Sequence, residues 1–216
     1  MSLVRFWRDE VGGPLVEAAV LIPVVFLFLF GSVDFLYAFY QYTVASKAVE
    51  VGARLAIVSD PVASGLATIP TNALSGTVLL GDPMPDFEVT CNDGGSAACT
   101  CTRGTCTGMG SYSATAMNTI VFGRGSSACN DATSYYNAGM CDVFWRVTAA
   151  KVKVVYSQTG LGYAGRAAGP VPTITVSLQG LTFHYLFLNG LLGVADFTMP
   201  PFATTMTGEG LSSGAL

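Results

Sequence analysis

Between Leu15 and Val33 the chain reads LVEAAVLIPVVFLFLFGSV, apolar on every side of a helix and interrupted by one charge, Glu17. At about 1.5 Å per residue this run extends roughly 28 Å, close to the hydrocarbon thickness of a bilayer. A helix that is apolar all round has no polar face for water, so it belongs inside a large core or a membrane. Arg5 and Arg8, with Phe6 and Trp7, precede the run. Basic residues in that place hold a helix's start in the cytoplasm, and aromatic ones suit the interface. A cleaved secretory signal fits less well, because the run is too long and no small-x-small cleavage site follows it promptly. The expectation is a retained single-pass anchor, N-terminus in the cytoplasm and the rest of the chain outside. Pro23 lacks an amide proton and is expected to kink or loosen the helix. Glu17 lies near the cytoplasmic end, where a charge costs less than the roughly 2.5–3.5 kcal/mol it costs at the bilayer centre.

The totals agree with an anchor. Of 216 residues only 11% are charged, against about 25% in soluble domains. The formal charge is −4 and the ten basic residues are scattered, which excludes the clustered Lys and Arg of a nucleic-acid footprint. No Gly-x-x-x-x-Gly-Lys loop occurs, and neither Gly108-x-Gly110 nor Gly160-x-Gly162 opens a convincing helix, so a nucleotide fingerprint is absent. Asp82, Asp86, Glu88, Asp93 and Asp131 are oxygen donors but lack the spacing of an EF-hand. The one histidine, His184, is the sole possible base for a Ser-His-Asp triad, yet it alternates within an apolar stretch and is expected to hold a strand or packing position. No catalytic residue, metal site or cofactor is expected.

Beyond Val33 the sequence continues DFLYAFYQYTVASKAVEVGARLAIVSDP, with no breaker before Asp60-Pro61 except Gly52. A helix from Pro14 to about Ser59 follows, and residues 13–60 read as one anchor and stalk. Phe35, Tyr37, Phe39, Tyr40 and Tyr42 crowd the level at which it leaves the membrane. Ala45, Ala48, Gly52, Ala53 and Ala56 recur at three- and four-residue spacing, a small-residue face that another element can approach closely. Either the chain's own exported domain or a neighbouring helix can take that place.

Residues 61–216 form the exported domain. Its first part, 61–83, reads as loop, and 84–142 holds all six cysteines: Cys91, Cys99, Cys101, Cys106, Cys129 and Cys141. An even number of cysteines in an exported chain implies disulfides. A bridge between Cys99 and Cys101 is strained because only Thr100 separates them, and the other pairings stay open. The spacing does not match a zinc site. This insert shows little periodicity, so bridges are expected to replace a core there, each contributing about 2–4 kcal/mol. Strands are expected at Val143–Thr148 and Ala150–Tyr156, the second with Val152, Val154 and Tyr156 on one face and Lys151 and Lys153 on the other. Another is expected at Thr173–Leu178 with Ile174, Val176 and Leu178 inward, and a last one within Phe197–Thr207, interrupted by Pro200-Pro201. The fold class is α+β: a long N-terminal helix packed on an antiparallel sheet, with a disulfide-rich insert.

The stretch from Trp7 to Ala56 resembles the N-terminus of TadE-like minor pilins, or pseudopilins, of tight-adherence pili. It carries the same order of a basic leader, Gly, Glu, apolar run, Asp34, Tyr40 and Gly52-Ala53-Arg54. Val176–Phe183 and Ala203–Glu209 resemble that family's closing strands. The likeness covers the first 58 residues and the last 45; the middle is not covered. It implies a leader, residues 1–12, cut by a prepilin peptidase between Gly12 and Gly13, so that Glu17 becomes the fifth residue of the mature chain. Cutting after Gly13 instead makes it the fourth. Ala18 stands where members commonly carry Phe or Tyr. The resemblance implies a non-catalytic role in pilus assembly, with other pilins, the peptidase and an inner-membrane platform as partners, and Glu17 pairing with a neighbour's new α-amine. The other functions open to such a chain are an anchored periplasmic binding or adhesion domain that enters no fibre, and an anchored hydrolase.

Overall fold

In a computed structural model, residues 13–94, 96–132, 134–208 and 210–211 are described. Helix α1 runs from Gly13 to Ile57, continuous through Pro23. The compact units divide this helix. One takes it as far as Gln41 together with Thr182–Phe197; the other holds Tyr42–Leu181 and the chain from Thr198 onward.

The second unit is built on five antiparallel strands. These are β1 (Phe87–Asn92), β2 (Ala98–Gly104), β3 (Val152–Ser157), β4 (Thr173–Leu178) and β7 (Phe202–Thr207), in the order β2-β1-β3-β4-β7. Alternation places each side chain. Val152, Val154 and Tyr156 of β3 are buried, as are Ile174, Val176 and Leu178 of β4, and their neighbours on β1 are Phe87, Val89 and Cys91. The opposite face is rich in threonine, and Thr175 and Thr205 meet there through their hydroxyls at 2.9 Å. A face that can bond to water beside one that cannot is what period-two alternation provides. The last part of α1 packs on the buried face, with Tyr42 edge-on to Phe202 at 4.9 Å between ring centres. Tyr156 is fully buried and accepts a hydrogen bond from the Val62 amide at 2.9 Å, tying the chain just after the helix to the middle of the sheet. Burial pushes its phenol well above the usual tyrosine range.

Two expectations are corrected here. Residues 84–142 are not a coreless insert, because β1 lies between β2 and β3 inside the sheet. The same region supplies an amphipathic helix, α3 (Ala114–Phe122), which buries Ala116, Met117, Ile120 and Val121 and is capped by the Ser113 hydroxyl. Its apolar spacing is short and scattered among turns, which hides it from a search for long periods. Val143–Thr148 is not a strand either. Met140–Val143 is a single helical turn, α4, held by Asp142, whose carboxylate accepts the Gly139 amide at 2.8 Å, and by the Cys129–Cys141 bridge. Phe144 and Val147 are buried after it while Trp145 is exposed. Local alternation was outweighed by a cap and a cross-link.

The disulfides join Cys91 to Cys99, Cys101 to Cys106 and Cys129 to Cys141. Cys91 and Cys99 face one another across the β1–β2 ladder. Pro200-Pro201 falls where expected, separating β6 (Phe197–Thr198) from β7. Strand β6 pairs with β5 (Thr182–Phe183), and between them lies α5 (Leu188–Leu192). A short α2 (Ile69–Asn72) is the other element of the 61–83 segment, after a 3-10 turn at Leu66–Thr68.

Candidate assembly face of the N-terminal helix

Helix α1 is one element in two environments. From Leu15 to Val33 its large side chains are uncovered: Leu15 is 75% and Phe28 73% exposed. The length and composition suffice to cross a membrane. Glu17 is exposed among them. It stands four residues after Gly13, the first described residue of the helix, and so on the same face one turn on. Gly12 and the basic leader lie outside the described residues.

At the C-terminal end of the run the pattern changes. Asp34 is fully buried. Its Oδ1 accepts the amide of Leu186 at 2.8 Å, its Oδ2 accepts that of Leu188 at 2.9 Å, and Phe187 donates to both oxygens. Those amides lead into α5, of which Leu188 is the first residue and Phe187 the cap; the first N–H groups of a helix have no partner within it. A carboxylate 152 residues away in sequence does the work usually done by a capping residue just before the helix. Phe187 stacks on Phe30 at 4.8 Å, and Phe183 meets Tyr37 at 5.9 Å. In the sequence Asp34 stands out only as a member of the resembled order of residues, which does not show this role. The signal available was an acidic residue directly after an apolar run.

From Tyr42 onward the helix is small on one side. Ala45, Ala48, Ala53 and Ala56 are buried, and Gly52 lies against Met140: a Cβ there would stand 2.5 Å from its sulfur. The other side of this stretch carries Lys47 and Glu50, paired at 2.6 Å. The large-residue run with Glu17, the buried Asp34 and the small-residue face to Arg54 form one continuous helix.

Residues 15–54 of that helix match the family model of TadE-like protein. No curated protein and no solved structure matches the chain. The TadE-like segment therefore includes Glu17, Asp34 and the small-residue face, and stops before the sheet; the likeness drawn for the closing strands lies outside it. Within the second unit the last turns of this segment border a cavity of about 280 Å³, lined by Arg54, Val58, Arg124 and Val143 among others. The Arg124 guanidinium donates to the Val58 carbonyl at the end of α1, where unpaired carbonyls collect.

The remaining candidates are not brought together. Asp86 and Glu88 pair with Arg103 across β1 and β2, and Asp93 bonds to Tyr112, whose phenol burial and that carboxylate push up to about 12. Among the described residues no three His, Cys, Asp or Glu side chains are grouped for a metal. His184 does not take the strand or packing position expected. It is exposed just past β5, with Nδ1 2.6 Å from Asp196. The hydrogen bond from His184 holds the Asp196 carboxyl below its ordinary value. An apolar stretch gave no hint of this because the partner comes from the returning strand.

Proposed function

We propose that this chain is a minor pilin or pseudopilin of a tight-adherence pilus, anchored in the inner membrane by α1 and acting by assembly and not by catalysis. The observation that carries the reading is the uncovered apolar half of α1 with Glu17 as its one charge, inside the segment that matches the TadE-like model. A lone carboxylate in apolar surroundings is costly, and it becomes favourable only when a cation sits beside it. Cutting between Gly12 and Gly13 creates such a cation, an α-amine at the start of α1. The amine of one subunit meets Glu17 of the next in a bundle of helices, so the charge selects assembled subunits over isolated ones. Arg5 and Arg8 orient the precursor with its C-terminal domain in the periplasm. Partners of this kind are other pilins through α1, the prepilin peptidase and the inner-membrane platform.

Mass spectrometry of the protein from cells with an active prepilin peptidase tests the reading. A mature chain starting at Gly13 and co-purifying with other pilins is expected; an intact Met1 refutes processing. A processed chain that never co-purifies with pilins favours an anchored binding domain.

A further inference from the structure

The segment between His184 and Asp196 reads YLFLNGLLGVA and carries no charge. It belongs to the same compact unit as the apolar run of α1. Leu186 and Leu192 are 55% and 54% exposed, and Phe187 is exposed beside them. The ring contacts fix its direction along the helix. Phe183 lies at the level of Tyr37 and Phe187 at that of Phe30. Seven helical residues separate those levels, about 10 Å at the α-helical rise. The chain thus descends from β5 past Asp34 to the apolar run, turns through α5, and returns to β6. Gly193, in the left-handed conformation at φ 65°, ends α5 and permits the return. His184 and Asp196 close the top of this excursion, and Asn189 donates to the same carboxylate.

Two further features fit apolar surroundings. The backbone amides that would be left without water are accepted by the buried Asp34 carboxylate, and non-helical backbone survives at membrane depth only when its polar groups are satisfied by protein. The charged residues stand only at the two ends of the segment, where headgroups and water are.

We propose that residues 185–195 are an interfacial membrane element, dipping into the outer face of the bilayer that α1 crosses, with Asp34 as the residue that positions it. The occupant of the exposed Leu186–Leu192 surface is lipid acyl chain, because that surface is continuous with the apolar run of α1 within one unit. This rests on the anchor reading of α1. The two are separable by depth-dependent tryptophan quenching of the full chain in phosphatidylcholine vesicles, with bromines at the 6,7 positions of the acyl chain. In a background of Trp7→Phe and Trp145→Phe, Leu192→Trp and Leu186→Trp report on the segment and Leu21→Trp on the helix. The Trp7→Phe chain, with Trp145 exposed, sets the baseline. At least a twofold loss of emission is expected for the reporters at 186, 192 and 21, and none for the baseline. Quenching at 21 with none at 186 and 192 overturns the interfacial element and leaves the anchor. No quenching at 21 overturns both. A blue-shifted emission at 192 that bromolipid does not quench means a second protein chain covers the surface, and this too overturns the proposal.

Discussion

The two halves of α1 differ in what covers them: the first is apolar on every side and bare, and the second buries one small-residue face and keeps its charges on the other. Leu, Val and Phe fill the half before Asp34, and Ala and Gly line one face of the half after Tyr42. Side-chain size explains the difference. Small residues let a backbone come close to a sheet, and the five-stranded sheet supplies that cover within the chain. Large residues arranged on all sides exceed what one neighbour can cover, so their cover comes from lipid or other helices. Hydrophobicity alone states that a helix wants cover; residue size states whose.

The comparison can be broken at several places. The largest effect is expected at Glu17. Glu17→Gln removes one partner of the proposed pair, and an uncompensated buried charge costs about 3–5 kcal/mol. Pilus incorporation, read by immunoblot of sheared fibres, falls at least a hundredfold while the melting of the unit built on the five-stranded sheet stays unchanged. Incorporation at the parental level would remove Glu17 from assembly.

Next is Asp34. Asp34→Ala strands the amides of Leu186, Phe187 and Leu188, and an unsatisfied buried donor costs about 1–3 kcal/mol. Faster hydrogen exchange at those amides is expected, with the five-stranded sheet still protected. Unaltered exchange would mean that the helix end does not depend on the carboxylate.

A smaller and more local effect contrasts the halves directly. Gly52→Leu drives a side chain into the buried Met140, and overpacking of this kind costs about 1–3 kcal/mol. Phe28→Leu in the bare half stays within about 0.5 kcal/mol. Chemical denaturation in detergent compares them; equal losses would erase the distinction.

The smallest effect is in acid. The Asp196 carboxyl is held below its ordinary value by His184. A lowered folded pKa stabilises above the unfolded pKa and is lost as pH falls through the folded one. The difference in melting between the parent and Asp196→Asn is therefore present at neutral pH and fades below about pH 4. A difference that persists at pH 2 would assign it to something other than this ionisation.

Much of the fold was legible because its signals are local. The apolar run, the period-two alternation of β3 and β4, and the proline break before β7 each sit within a few neighbouring residues, and the long helix was read to within two residues of its end. β1 and α3 were missed because their apolar positions are few and interleaved with turns and cysteines. The expected strand at Val143–Thr148 failed because the chain turns there, the Val147 amide donating to the Phe144 carbonyl, directly after the helical turn held by Asp142 and the Cys129–Cys141 bridge.

By itself the sequence determined that one helix is apolar enough to cross a membrane, that Glu17 is the one charge in its apolar run from Leu15 to Val33, and that an even set of cysteines follows. Tertiary structure decided the rest: Cys91 pairs with Cys99 because the β1–β2 register sets them opposite. It made Asp34 a cap for a helix 152 residues away, and set His184 against Asp196 on a returning strand. The reason is range. Periodicity and composition report what a residue prefers, and a carboxylate, a thiol or an imidazole takes its role from whatever the folded chain brings within about 3 Å of it.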